Sequence, residues 1–267
     1  MKSYLHYFKL KFISNLQYRF EALAVISTQF VFGFIYISIY IAFYESGGNN
    51  LPMELNELVS FLWLEQAFFI LIYSFYRDKE IIKMIKNGNV SYELTRPQDL
   101  YFMWFSKIYG DKLSKTLLRM FPIIIIASLL SEPYKLNLAI SIKPLILFII
   151  ALTLASILIT LIVLLFHIIC IFTLDDKGIV NIFMAVSDLL SGLVIPIPFF
   201  PKYLQRISNV LPFRYVSDFP FRLYVGNISI SEGINGIIIQ IIWIIIIFII
   251  GKTLMKKALK NAVIQGG

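Results

Sequence analysis

GLVIPIPFFPKYLQRISNVLPFRYVSDFPFRLYVG, residues 192–226, decides how the rest of this chain reads. It lies between two strongly apolar segments, yet it has the composition of neither a membrane span nor an ordinary loop. Pro196, Pro198 and Pro201 withhold backbone donors and clash with the preceding turn, so a helix arriving from upstream must stop there. Beyond them Leu204, Ile207, Val210 and Leu211 recur at helical spacing opposite Lys202, Gln205 and Arg206, the pattern of a short helix lying in a bilayer interface. Pro212 breaks the chain again, Phe213, Tyr215, Phe219, Phe221 and Tyr224 follow, and Gly226 ends the element. Aromatic rings favour the headgroup level, so the stretch is expected to cap something at the membrane surface.

A cap of that kind implies a membrane on either side of it, and the composition agrees. Of 267 residues, 58% are hydrophobic and 16% aromatic, with a mean hydropathy of +0.79. That is more apolar surface than one soluble core could hide. Residues 144–174 contain no Asp, Glu, Lys or Arg. At ~1.5 Å per residue they extend roughly 46 Å, against about 30 Å of hydrocarbon, so this helix must tilt, kink or protrude. Residues 22–44 and 233–251 are also uncharged.

Three weaker segments complete a prediction of six transmembrane helices, at 22–44, 58–76, 115–131, 144–173, 179–197 and 234–252. The expected fold is therefore an all-α integral membrane protein, a single domain over residues 1–267. The second span contains Glu65 and the fifth Asp188. The third is short between Arg119 and Glu132, so Lys115 and Arg119 are expected to snorkel towards the interface.

Orientation follows from the 24 Lys and Arg residues. They crowd into residues 1–21, 77–119, 174–178 and the tail from Lys252, whereas the loops at 45–57, 132–143 and 198–233 are poor in them. By the positive-inside rule both termini are cytoplasmic and the 192–232 element, read as re-entrant amphipathic helices before the last span, lies outside. The net charge of +8 is thereby mostly topology, and nucleic-acid binding is not implied. The first apolar run starts only after a basic, aromatic leader and is too long for a cleavable h-region, so the first span is expected to serve as its own insertion signal. A bacterial plasma membrane is the expected setting, with heavy use of Ile, Lys and Asn pointing to an AT-rich genome. The lone Cys170, deep in the fourth span, excludes a disulfide framework and reads as a small buried hydrophobe.

Residues 1–21 place Tyr4, Leu5, Phe8, Phe12, Leu16 and Phe20 along one helical face, with Lys2, Lys9, Lys11 and Arg19 largely elsewhere. This predicts an elbow helix lying flat on the inner leaflet. The cytoplasmic region 77–114 is the longest polar stretch and the best candidate for a partner surface. Asp78 can cap a helix in which Ile81, Ile82 and Ile85 face one way and Lys79, Lys83 and Lys86 another, ending at Gly88. Arg96 and Pro97 then precede a second amphipathic piece with Tyr101, Phe102, Trp104 and Phe105.

These features carry a resemblance. The stretch IIKMIKNGNVSYELTRP at 81–97 has a helix, a glycine and a late Leu-x-Arg-Pro. IPIPFFPKYLQRISNVLPF, followed by FPFRLYVG, has a proline-flanked Phe-Phe-Pro, a Leu-Pro-Phe and an aromatic before glycine. In order, spacing and topology the chain resembles the small six-span permeases of the ABC-2 transporter family over essentially its whole length. The resemblance implies half of an export pore. A second permease chain, identical or related, would pair with this one, and two copies of a separate ABC ATP-binding subunit would carry ATP and Mg and rock the halves between inward and outward access. It also implies a coupling helix around Glu80, Ile81, Lys83, Met84, Ile85, Asn87 and Gly88, a second ATPase contact at Asp175, Asp176 and Lys177, and a third at the elbow. The chain itself is then no enzyme, binds no cofactor or metal, and meets lipid and protein but no nucleic acid. Export is favoured over import by the resemblance alone.

The outer element is expected to gate the pore, with Pro198, Phe199, Phe200, Pro201, Leu211, Pro212 and Phe213 packing against the opposing permease and Gly192 allowing close approach. An interface rich in Phe, Tyr and Ile favours a hydrophobic or amphipathic cargo such as a drug, a peptide or a lipid-like compound. No GxxxxGK[ST] phosphate loop is present, so energy must come from a partner or an ion gradient. The alternative reading is an ion-coupled secondary transporter or channel, with Glu65, Asp188 and His167 as pathway groups, because ionisable residues at membrane depth are costly and often functional. A membrane enzyme is disfavoured: there is no HExxH, no DDxxD and no Ser-His-Asp set on one side of the membrane.

Overall fold

Backbone groups that enter hydrocarbon must find partners within their own segment, which favours helix wherever the chain is apolar. The computed structural model describes residues 2–17, 19–47, 51–90, 93, 98–138, 141–175 and 177–265, and every regular element among them is helical. In chain order these are α1 (Lys2–Leu16), α2 (Arg19–Glu45), α3 (Leu55–Ile72), α4 (Lys79–Lys86), α5 (Leu100–Leu129), α6 (Ile142–Thr173), α7 (Gly178–Leu190), α8 (Lys202–Val210), α9 (Asp218–Val225) and α10 (Ile230–Gln265), with single 3-10 turns at Ile197–Phe199 and Phe213–Tyr215.

Four helices, α2, α3, α6 and α10, are long and apolar enough to cross a membrane. The two other expected crossings differ from expectation. α5 is one continuous helix of 30 residues, so the aromatic piece near Tyr101 and the span expected from residue 115 are parts of a single element. Its charged side chains, Lys107, Asp111, Lys112, Lys115 and Arg119, crowd its middle, and the ten residues beyond them carry no charge. α7 has 13 residues and stops well short of residue 197. At about 1.5 Å per residue that is roughly 20 Å, less than the ~30 Å hydrocarbon core. It ends before the prolines are reached because Gly192 adopts φ 86°, a left-handed conformation that helix cannot propagate through.

α3 is the most enclosed element: every residue from Leu58 to Phe68 is buried, the signature of a helix surrounded by protein on all sides. α6 packs against α10, α9, α5 and α3, and the rings of Phe61, Phe68, Phe148 and Phe221 lock α3, α6 and α9 together at centroid distances of 5.8–6.5 Å. Such pairs each add about 0.5–1.5 kcal/mol beyond area burial. α2 and α10 instead expose Val31, Phe32, Ile35 and Ile39, and Ile238, Ile242, Ile245 and Ile249, faces suited to lipid or to a second membrane chain.

Where α3 ends, the fully buried Lys112 of α5 donates to the carbonyls of Ile70, Leu71 and Tyr73 at 3.2, 3.1 and 2.7 Å. A cation there satisfies carbonyls that lack helical partners and complements the helix dipole. This clamp fixes the direction in which residues 73–78 leave α3, and hence where α4 lies.

α1 lies along α5. Tyr4 Oη accepts the Asp99 N–H at 2.9 Å, the Phe8 ring sits 6.0 Å from Tyr109, and Asn15 donates to Asp111 and Ser114 at 2.9 and 2.8 Å. Gly110 permits the contact, since a Cβ there would stand 2.9 Å from the Phe8 carbonyl oxygen. The expected aromatic face is therefore split: Tyr4 and Phe8 turn to α5, while Leu5 and Phe20 are 65% and 88% exposed. The reason is register. Positions 4, 8, 11 and 15 form one stripe at helical spacing, and that stripe carries the groups that match α5.

Candidate functional site

Below the clamp, α4 forms as its sequence requires. Asp78 accepts the N–H groups of Glu80 and Ile81 at 2.9 and 3.1 Å, which are donors that would otherwise be unsatisfied at a helix start. Ile81 and Ile85 point inward and are buried, with α6 as the helix they pack upon. Lys79, Glu80, Lys83, Lys86, Asn87 and Gly88 are exposed, and Met84 is half-buried. Of the residues expected to meet a partner, Ile81 and Ile85 are thus taken up inside this chain, and the outward face is the charged one. The Leu94-Thr95-Arg96-Pro97 part of the same motif lies outside the described residues.

His167 joins this helix to the bundle. Its Nδ1–H donates to the Val163 carbonyl at 2.8 Å, and its Nε2 accepts the Asp78 N–H at 3.1 Å. One nitrogen donates and the other accepts, which defines a neutral tautomer. His167 is a strut between α6 and the start of α4, with neither nitrogen free for a migrating ion.

An ion-pair network crosses the same region. Glu80 accepts from Lys11 of α1 at 3.0 Å and pairs closely with Lys107 of α5, which also lies 3.4 Å from Asp78. The Lys107 contact first, and the Lys11 contact with it, hold the Glu80 carboxyl below its usual range against the opposing effect of partial burial. Burial pulls on Lys11 in the other direction, but Glu80 and the nearby Asp78 and Asp111 carboxylates outweigh it and leave the ammonium above its usual value. Between α1, α4 and α5, Lys11, Glu80 and Lys107 line a cleft of about 440 Å3 together with Met103 and Trp104.

The second expected contact is a turn. Asp175 accepts the N–H groups of Lys177 and Gly178 at 2.9 and 3.0 Å, so its carboxylate starts α7, while Lys177 is exposed. Asp176 lies outside the described residues.

The two carboxylates expected as pathway groups, Asp188 and Glu65, are both engaged. Asp188 Oδ1 accepts the Ser74 N–H at 3.0 Å, and Ser74 Oγ donates to the Met184 carbonyl at 3.0 Å, tying α7 to the end of α3. Glu65 is buried and accepts from Ser217 Oγ at 3.4 Å, so it stands beneath the outer element and not at a surface.

The outer element is organised by a residue that the sequence reading did not single out. Asp218 is fully buried; it accepts the Ile197 N–H at 3.2 Å, Arg214 Nε at 3.3 Å and Arg222 Nη1 at 3.4 Å, and its own N–H donates to the Ser191 carbonyl at 3.0 Å. Gly192 makes room for it, since a Cβ there would lie 3.1 Å from Asp218 Cβ. A signal was present: residues 214, 218 and 222 repeat at i, i+4 with signs plus, minus, plus. Among the expected gate residues only Pro201 is exposed; Phe200 and Pro212 are buried and Pro198, Phe199, Leu211 and Phe213 half-buried. Phe199 packs 5.4 Å from Tyr40 and 6.4 Å from Phe43 of α2. The apolar side chains that do face outward are Val194, Ile195, Tyr203, Ile207 and Val210.

Among the described residues no three His, Cys, Asp or Glu side chains gather as a metal site. The model of the family described as ABC-2 family transporter protein matches residues 23–266, and the chain belongs to that family. No curated protein matches it. It is accordingly a multi-pass membrane permease component of an ABC system, a non-catalytic part, and proteins of this family generally work with an ATP-binding subunit. The match begins at Leu23, so α1 lies outside it.

Proposed function

We propose that this chain forms half of the translocation pathway of an ATP-driven exporter and receives its energy through the outward face of α4. The observation that carries the reading is the division of that helix: Ile81 and Ile85 fasten it to the bundle, His167 braces its start, and Lys79 and Lys83 are left in solvent. A short helix held rigidly at one face transmits a push applied to the other. The two lysines suit an acidic groove on the ATP-binding subunit. Lys177 provides a second contact, and α1, tied to α4 through Lys11 and Glu80, a third.

In this reading both termini are cytoplasmic, α5 over its whole length and α7 continued by residues 191–200 complete six crossings with the four long helices, and α8 and α9 form the re-entrant outer cap. Two copies of the ATPase, holding ATP and Mg, serve this chain and a second permease, identical or related. The exposed apolar faces of α2 and α7, with Tyr203, Ile207 and Val210 of α8, supply the surface that meets that second chain and closes the outer vestibule. A pathway lined from these helices favours a hydrophobic or amphipathic cargo.

The test is affinity purification of the tagged chain from its native membrane in mild detergent, with identification of the companions and an assay of ATP turnover. Recovery of an ABC ATPase with vanadate-sensitive activity is expected, and Lys79→Glu with Lys83→Glu should reduce that recovery about tenfold or more, the loss from placing like charges across an interface, while leaving membrane insertion intact. Recovery of the chain alone, or unaltered recovery with the charge-reversed variant, would overturn the assignment.

A further inference from the structure

At the proline-rich end of the bundle, α9 and the first turns of α10 enclose a hollow of about 210 Å3. Arg214, just ahead of α9, and Arg222, within it, both line the hollow, with side chains only 17% and 18% exposed. Asn227, Asn235 and the Glu232 carboxylate complete a polar wall. The Phe219 ring closes the floor against Gly236, where a Cβ would approach to 2.1 Å.

The arginines are incompletely satisfied. Arg214 Nε and Arg222 Nη1 share the single oxygen Asp218 Oδ2 at 3.3 and 3.4 Å, both longer than a good charge-assisted bond. Arg222 Nε donates to Asn227 Oδ1 at 2.8 Å, and Arg214 Nη1 donates to Asn209. The Nη2 of each guanidinium has no partner among the described residues. Glu232, the carboxylate in this wall, turns one oxygen to α10's cap: Oε2 accepts the Ser229 N–H and hydroxyl at 3.0 and 2.7 Å. Two largely buried cations thus keep unused donors around a small polar hollow, which is the chemistry of phosphate recognition.

The surroundings indicate what carries the phosphate. Ile239 lines the hollow, and Ile242, Ile246 and Ile249 continue from it down α10 at helical spacing, all exposed. From 239 to 249 this track runs roughly 15 Å into the apolar zone. A soluble anion has no use for such a track, whereas an acyl chain does. We propose that the hollow holds the phosphate of an anionic phospholipid, with its chains along the isoleucines of α10.

The experiment uses the full-length chain, with any partner that accompanies it, in phosphatidylcholine vesicles doped with photoactivatable phosphatidylglycerol, the crosslinked residues being mapped by mass spectrometry. Crosslinks should concentrate on α9 and the first half of α10 and be displaced by unlabelled phosphatidylglycerol. Asn235→Asp adds a negative charge to the wall without touching the Asp218 contacts, and should lower the yield about tenfold, the loss of roughly one charged hydrogen bond. Arg206→Gln, on the exposed side of α8, should leave it unchanged. Arg222→Gln should act like Asn235→Asp, read only in preparations whose thermal unfolding is unaltered. Displacement by inorganic phosphate as effective as that by the lipid would assign the hollow to free phosphate and overturn the lipid. Labelling spread evenly along α10 and indifferent to Asn235→Asp would overturn the site.

Discussion

At the lysine-rich end α4 turns Ile81 and Ile85 inward and leaves Lys79, Lys83 and Lys86 outside, whereas at the proline-rich end Asp218 is wholly enclosed and draws Arg214 and Arg222 in towards it. Both ends consist of short helices inserted between long ones. The first keeps its apolar groups for itself and offers its charges; the second uses its charges as internal fastenings and offers Tyr203, Ile207 and Val210. Charges in water are inexpensive to display and readily met by a soluble partner. Charges enclosed by packed helices must be paired, and removing one partner leaves the other stranded.

The comparison is broken most directly at Asp218. Asp218→Ala strands two guanidiniums that are less than a fifth exposed, and is expected to cost about 3–5 kcal/mol of stability, measured by thermal unfolding of the detergent-solubilised protein. Destabilisation no greater than that of a surface substitution would mean that the outer element does not depend on its buried charge.

Asp78→Ala is expected to cost about 1 kcal/mol, the usual loss of an N-cap, because Glu80 and Ile81 lose their acceptor while Ile81 and Ile85 still hold α4 to α6. Asp78→Asn should restore most of that loss, since an amide oxygen caps as well. Equal damage from both would shift the weight of the site from the cap to the Lys107 contact at 3.4 Å.

The contrast between the ends also explains what could be read from the chain alone. The Asp78 cap and the inward and outward faces of α4 are local: they follow from residues within one turn of each other, and both were legible. The stop before Pro196 was legible in kind, but its position was set by Gly192, whose left-handed backbone serves a contact with Asp218 at a distance of 26 residues in sequence. The crossing count was obscured for a related reason. The third span was expected to start at residue 115, yet its helix runs on through Lys112, which the carbonyls at the end of α3 accept, a partner that no local pattern announces. Phe199, expected to pack against an opposing chain, also meets Tyr40 and Phe43 of α2 in its own chain, contacts that its local sequence does not announce. Tertiary contacts decided each case where local chemistry was ambiguous.

The smallest expected effect lies in the tether between α1 and α4. Glu80 is held below its usual carboxyl value of 4.5, chiefly by Lys107 and then by Lys11. The folded protein therefore binds that proton less readily than the unfolded chain, so the contribution of Glu80 is complete above the unfolded value and fades as pH falls through the lower folded one. Lys11 is raised above 10.5, and its share is complete below that value and lost as pH rises through the folded one. The tether should accordingly hold across neutral pH and loosen at both extremes, read as the separation of spin labels on α1 and α4. The change should be slight, because the Glu80 side chain is 64% exposed and water screens such pairs. Glu80→Gln should abolish the acid limb and leave the outer element untouched. An acid limb that survives Glu80→Gln would place the tether in the Asn15 contacts with Asp111 and Ser114 instead, and α1 would then be a fixed part of the bundle, with no dependence on the charged face of α4.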